Sequence, residues 1–276
     1  MVTIFTALRQ EADGLIQTLE LHRDNDNTYS GNGIRLIITG IGKINAAASV
    51  GFCIGKYGVS DYYVNYGSAA SPTHTGETLF VGQIIDRGSG DESFPDIADA
   101  AFPHALLVTS DTPVSSSEIL RDSSERRSAM PVIYDMEGYA IYQALRKVTT
   151  PDRMIFIKTA TDNGDADFKK SIDLINEAAP QVAGFIRSLS EQKFSRPEEL
   201  PFFEELSSGL HCSEAMRNHL SQYIKYISVS DRLPEFAQHL DELKRDGQLP
   251  APDRKHGKEL LKKMIAVSSV SCNAAP

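Results

Sequence analysis

Residues 2–21 read VTIFTALRQEADGLIQTLEL. The first six are β-rich and short enough for a buried strand, and residues 11–21 then place Ala12, Leu15, Ile16 and Leu19 at helical spacing. The same alternation recurs downstream. Residues 34–39 (IRLIIT) form a second strand, and 44–57 an Ala-rich helix. Residues 62–66 (YYVNY), 78–86 and 105–109 are further strands. Residues 132–134 lead into a helix over about 136–148. Residues 154–160 (MIFIKTA) precede a long helix over 169–189, interrupted or kinked near Pro180. Strands alternating with helices predict an α/β fold, a three-layer sandwich around a mostly parallel or mixed sheet. In such sheets, sites collect beyond the carboxyl ends of the strands.

The character changes after Leu189. Residues 195–201 are a connector bearing Pro and Glu, and the chain beyond it is helical. Residues 213–227 put Met216, Leu220, Tyr223 and Ile224 on one face, with Ser213 as N-cap. Residues 234–246 and 258–267 repeat the pattern. The expected organisation is an α/β domain over 1–189 and a helical extension of unassigned role over 190–276, which suits a chain of 276 residues. With 41% hydrophobic and 24% charged residues, the composition is that of a globular chain rather than a disordered one. A formal charge of −9 speaks against a large phosphate-backbone footprint, so no nucleic-acid partner is expected. No apolar run has membrane-spanning length. Three scattered cysteines without CxxC spacing argue against a disulfide scaffold and a zinc knuckle. The chain reads as cytosolic, without metal or cofactor.

Gly40-Ile41-Gly42-Lys43 has the look of a phosphate loop. It lacks the leading glycine and the following Ser/Thr of a Walker loop, and Asn45 stands where the dinucleotide fingerprint needs a third glycine. A tight strand-to-helix turn is the better reading. The seven histidines include no HExxH, and Ser68 is not in a GxSxG elbow. Cys212 beside His211 is more simply buried or capping than reactive. Three carboxylates remain: Glu11, Glu137 and Asp162 each follow a strand. Singly, each would pass as an acid complementing a helix start. Together, at one edge of one sheet, they are candidates for a site.

The segments VTIFTALRQEADG (2–14), TGIGKINAA (39–47), NYGSA (65–69), DMEGYA (135–140) and TATD (159–162) occur in an order that resembles the nucleoside phosphorylase/nucleosidase superfamily, closest in look to the 5′-methylthioadenosine/S-adenosylhomocysteine nucleosidases. The resemblance spans about residues 1–189. It implies that Asp162 is the general acid at the purine, protonated near neutral pH, and that Glu11 positions and deprotonates the attacking water. It further implies that Glu137 accepts the ribose hydroxyls and that Met136 packs on the sugar. Gly67, Ser68 and Ala69 match a turn beside the ribose, Thr161 belongs with the substrate contacts, and the 110–114 loop ending in Val114 reads the base edge. Phe168 is placed as a wall of the purine pocket. Glycosidic cleavage makes chemical sense of such a set, because the leaving group needs a proton, the sugar a grip and the anomeric carbon a nucleophile.

Departures fall in the 163–168 loop and in 86–95, where a 5′ substituent would lie. Lys158 also stands where the family often has arginine. Phosphorylases of the superfamily carry an arginine two residues before the Gly-Ser pair; here that residue is Asn65. Arg9 and Lys43 are the cations that could still hold phosphate. The reading is a hydrolytic purine nucleosidase, homodimeric as the resemblance implies, with phosphorolysis on the same fold as the alternative. A nucleoside-binding or interaction module on a retained scaffold is a third possibility.

Overall fold

The computed structural model describes residues 1–95, 102–125, 130–165, 167–191, 202–229 and 232–270. Contacts divide the chain into two compact units, one formed by most of the first 194 residues and the other chiefly by the segment from 195 onward.

In the first unit the strands are β1 (Val2–Thr6), β2 (His22–Asn25), β3 (Thr28–Gly31), β4 (Ile34–Ile38), β5 (Tyr62–Ala70), β6 (Thr78–Asp86), β7 (Glu92–Ser93), β8 (His104–Thr109), β9 (Val132–Asp135) and β10 (Met154–Asp162). The helices are α1 (Arg9–Thr18), α2 (Lys43–Tyr57), α3 (Ser116–Glu125), α4 (Gly138–Leu145) and α5 (Phe168–Glu191). The sheet is mixed. Its main path runs β10-β6-β8-β9-β5-β1-β4-β3-β2, and β10 also pairs with β5, so β5, β10, β6, β8 and β9 close a ring from which β1, β4, β3 and β2 fan out. β1 lies parallel between β4 and β5, and β5 lies parallel to β10. Their near-continuous apolar runs follow from burial on both faces, as in Val2–Thr6, where all five residues are buried.

Two apolar layers flank the sheet. One joins α1 and α5 to it through Leu15, Ile16, Ile175, Ala179 and Val182. The other joins α2 and α4 through Ala46, Val50, Ile141 and Leu145. The α1–α5 contact is unusually close: Gly14 N–H donates to Asn176 Oδ1 at 2.9 Å. A β-carbon at position 14 would fall 2.7 Å from that of Ala179. α5 continues through Pro180 as one helix, so of the expected interruption or kink the interruption is absent. The hairpin of β2 and β3, the short β7, and α3 are additions to the elements expected from sequence.

β5 also departs from expectation. It runs on to Ala70, so Gly67, Ser68 and Ala69 are not in a turn. They pair with Lys158, Thr159 and Ala160 of β10, which supplies the hydrogen-bond ladder that their small side chains do not favour by themselves.

The second unit is helical: α6 (Phe203–Gly209), α7 (Glu214–Val229), α8 (Leu233–Arg245) and α9 (Arg254–Val270). α6 is one helix more than the sequence suggests. The predicted connector over 195–201 lies outside the described residues. Leu220, Tyr223, Ile224, Phe236, Leu240 and Met264 are buried, and Tyr223 packs edge-on against Phe236 with ring centroids 5.6 Å apart. No described helix is long and apolar enough to cross a membrane.

Candidate active site

The carboxyl ends of β1, β4, β5, β8, β9 and β10 surround a cavity of about 250 Å³. Ala7, Leu8 and Glu11 enter it after β1, Ile41 after β4, and Ser68 to Ala70 from the end of β5. Thr112, Pro113 and Val114 follow β8; Tyr134, Asp135, Met136 and Glu137 come from the end of β9; Asp162 and Gly164 come from the end of β10. The three carboxylates singled out by sequence therefore share one pocket, with Met136, Ser68, Ala69 and Val114.

Glu11 sits in the first turn of α1 and is 3% exposed. Its Oε2 accepts the Leu8 N–H at 3.1 Å, the backbone half of a capping box, with no side-chain partner from Leu8. Its Oε1 accepts the Ser68 N–H at 3.1 Å and the Ser68 hydroxyl. Three donors fix the carboxylate facing the pocket.

Glu137 is the N-cap of α4 and accepts the Gly42 N–H at 2.7 Å. Gly42 adopts φ 92°, a left-handed conformation that glycine takes without cost, so the glycine loop turns its amide toward a carboxylate. Burial, reinforced by the neighbouring Asp135 charge, pushes the Glu137 carboxyl up to about 7 against the pull of Lys158 and that amide.

Asp135 of this lining and Lys158 form a pair that the sequence does not announce as part of a site. Lys158 and Asp135 have side chains 2% and 1% exposed and meet at 2.9 Å. Asp135 also accepts the Thr109 hydroxyl at 2.6 Å and the Gly138 N–H at 2.8 Å. A β-carbon built on Gly67 would lie 3.6 Å from both Lys158 Nζ and Glu11 Oε2, so the ammonium and the Glu11 carboxylate flank one backbone position. Burial alone would lower the Lys158 pKa, yet Asp135, Glu137 and Glu11 together hold it above the ordinary lysine value. One buried cation thus serves three carboxylates.

Asp162 is partly buried. Its Oδ1 accepts the Gly164 N–H at 2.8 Å and its Oδ2 the Thr161 hydroxyl at 2.9 Å. Thr161 itself is buried behind the wall, as is Gly67. Phe168 is a correction. It begins α5, is 55% exposed and does not line the cavity, because the chain enters the helix there instead of folding the ring back over the pocket.

The two cations put forward as phosphate holders are both engaged. Arg9 pairs with Asp13 at 2.9 Å and lies 4.5 Å from the centroid of the Tyr29 ring. Lys43 bridges Asp86 and Asp111. Asn65 donates to the Phe5 carbonyl at 3.1 Å, joining β5 to β1.

No family model matches the chain, and no curated protein matches its sequence. Solved structures do match. The chain shares the fold of bacterial 5′-methylthioadenosine/S-adenosylhomocysteine nucleosidases. The Neisseria meningitidis enzyme in complex with methylthio-immucillin-A superposes with a TM-score of 0.57 at 21% identity, covering 68% of this chain and 98% of that one. The Streptococcus pneumoniae enzyme with a transition-state inhibitor gives 0.55 at 21% identity, covering 68% and 99%. The Campylobacter jejuni enzyme gives 0.55 at 16% identity, covering 69% and 98%.

Proposed function

We propose that the first unit is a cytosolic purine nucleosidase of the methylthioadenosine type that cleaves the N-glycosidic bond with water. The convergence of Glu11, Glu137 and Asp162 on one cavity carries the reading. Asp162 protonates the purine as the bond to the anomeric carbon breaks and its electrons pass to the base. Water adds to the oxocarbenium-like carbon and gives its proton to Glu11, which Ser68 holds in place. Glu137 accepts the ribose hydroxyls.

Water is favoured over phosphate by charge. Glu11, Asp135 and Glu137 all act on one cation, Lys158, and Arg9 and Lys43 are already paired. A phosphate dianion there would meet carboxylates rather than the fixed cations it needs. Purine release from methylthioadenosine or adenosine is therefore expected in phosphate-free buffer, with ribose or 5-methylthioribose identified by mass. Strict phosphate dependence with a sugar 1-phosphate product would replace this reading with phosphorolysis. Absence of turnover for any nucleoside would replace it with a binding module.

The Glu137 pKa sets a second expectation. The carboxylate form accepts from both hydroxyls more strongly than the acid, and that form fills through about 7. Ribonucleoside affinity should rise roughly tenfold from about pH 6 to about pH 8, whereas 2′-deoxynucleosides should show a much smaller rise. Glu137→Gln should flatten the profile. Equal affinity of the wild type for both sugars at each pH would remove Glu137 from this role.

A homodimer is part of the same proposal. α2 offers a face for it: Ile44 and Phe52 are 86% and 59% exposed, with Ala48 and Gly51 between them. A monomer by light scattering would exclude it.

A further inference from the structure

The loop of residues 110–115, which lines the pocket through Thr112, Pro113 and Val114, is gripped by residues that do not line the cavity. Lys43 Nζ meets Asp111 Oδ1 at 2.9 Å and also binds Asp86. Lys43 is the first residue of α2, where a cation opposes the positive end of the helix dipole, and the first turn of α2 contains no acid to offset it. Its place is therefore a cost to the helix, relieved by Asp86 and Asp111. Burial would lower the Lys43 pKa, yet these two carboxylates raise it, and Lys43 in turn holds Asp86 below its ordinary value.

The two carboxylates differ. The Asp86 side chain is 10% exposed and also accepts the Ser89 N–H at 2.9 Å, so it is anchored in the frame at the end of β6. The Asp111 side chain is 72% exposed, so its ion pair contributes little to folding. What that pair does hold is the start of the segment Thr112, Pro113 and Val114, which lines the pocket. The residue before Lys43 is Gly42, whose amide binds Glu137. One side chain thus fastens the pocket loop to the same turn that presents the sugar-side donor.

We propose that Lys43 and Asp111 form a latch that sets the position of Thr112 to Val114, making both positioning residues for nucleoside affinity. What occupies the pocket rests on the nucleosidase reading; the latch itself does not. Asp111→Asn is the first test. It should leave the melting temperature unchanged, raise KM for methylthioadenosine roughly fivefold, change kcat much less, and weaken inhibition by free adenine by the same factor. Lys43→Arg should retain most of the affinity. Lys43→Met should lose both affinity and stability, because Asp86 is left without its cation. Adding Asp86→Asn to Lys43→Met should restore the melting temperature but not KM.

Unchanged KM and adenine inhibition in Asp111→Asn would overturn the latch, as would recovery of KM in the double variant. If the wild type turns over no nucleoside, the enzymatic reading fails. Calorimetric titration with adenosine and adenine then decides the latch: weaker binding to Asp111→Asn supports it, while equal binding, or no binding to either protein, overturns it.

Discussion

Asp162→Asn is expected to lower nucleoside turnover by about two orders of magnitude or more with no change in melting temperature. The substitution suits the site. An amide oxygen can still accept the Gly164 N–H, and the amide NH₂ can donate to the Thr161 hydroxyl, which turns from donor to acceptor. The local hydrogen bonds survive and the transferable proton does not. Initial rates with methylthioadenosine, together with thermal melts, decide the matter. Near wild-type turnover in a stably folded variant would remove Asp162 as the acid.

Lys158→Met should have the largest effect on folding. It leaves Asp135, with its side chain 1% exposed, facing Glu11 and Glu137 without a counter-ion. Breaking a buried pair from one side costs about 3–5 kcal/mol. The loss should depend on pH. Glu137 is raised to about 7 even with Lys158 present, so its ionisation already opposes folding as pH climbs from the ordinary glutamate range through 7. Without the cation that opposition grows. Denaturant titrations should therefore show the largest gap from wild type at about pH 8 and a smaller one at about pH 5. Lys158→Met combined with Asp135→Asn should recover part of the stability. A loss below about 1 kcal/mol at the higher pH would mean that the pair is not the electrostatic centre of the pocket.

The architecture is legible where burial enforces pattern. The strands at 2–6, 34–38 and 154–162 announce themselves because burial keeps most of their side chains apolar. The hairpin of β2 and β3 escapes notice because all four β2 residues, His22 to Asn25, are exposed, so neither alternation nor an apolar run marks it. α3 is hidden by its serines, which favour turns in isolation.

The pocket is half legible for a related reason. Glu11, Glu137 and Asp162 stand just beyond apolar runs, where an acid is conspicuous. Asp135 ends β9 and Lys158 lies inside β10, and Lys158 stands out in the sequence only as a departure from the family's arginine. The available signal is a charge within an otherwise apolar buried strand, since such a group must find an opposite partner. Lys158 in the middle of β10 and Asp135 at the end of β9 are two such charges of opposite sign, and they point to each other. Phe168 misleads because aromatic character near the site says nothing about which way the following helix starts.

The seam between α1 and α5 makes position 14 a poor target for routine stabilisation. Replacing a helical glycine with alanine ordinarily strengthens a helix by about 1 kcal/mol, and a consensus library would include that change. Here the added methyl would collide with Ala179 and Asn176 and press α1 away from its neighbour. Glu11 lies one turn earlier on the same helix, so the displacement would be transmitted to the carboxylate that faces the pocket. Directed evolution scored on turnover should therefore keep glycine at this position, and compensating changes should collect on α5 at positions 176 and 179, outside the residues that line the cavity.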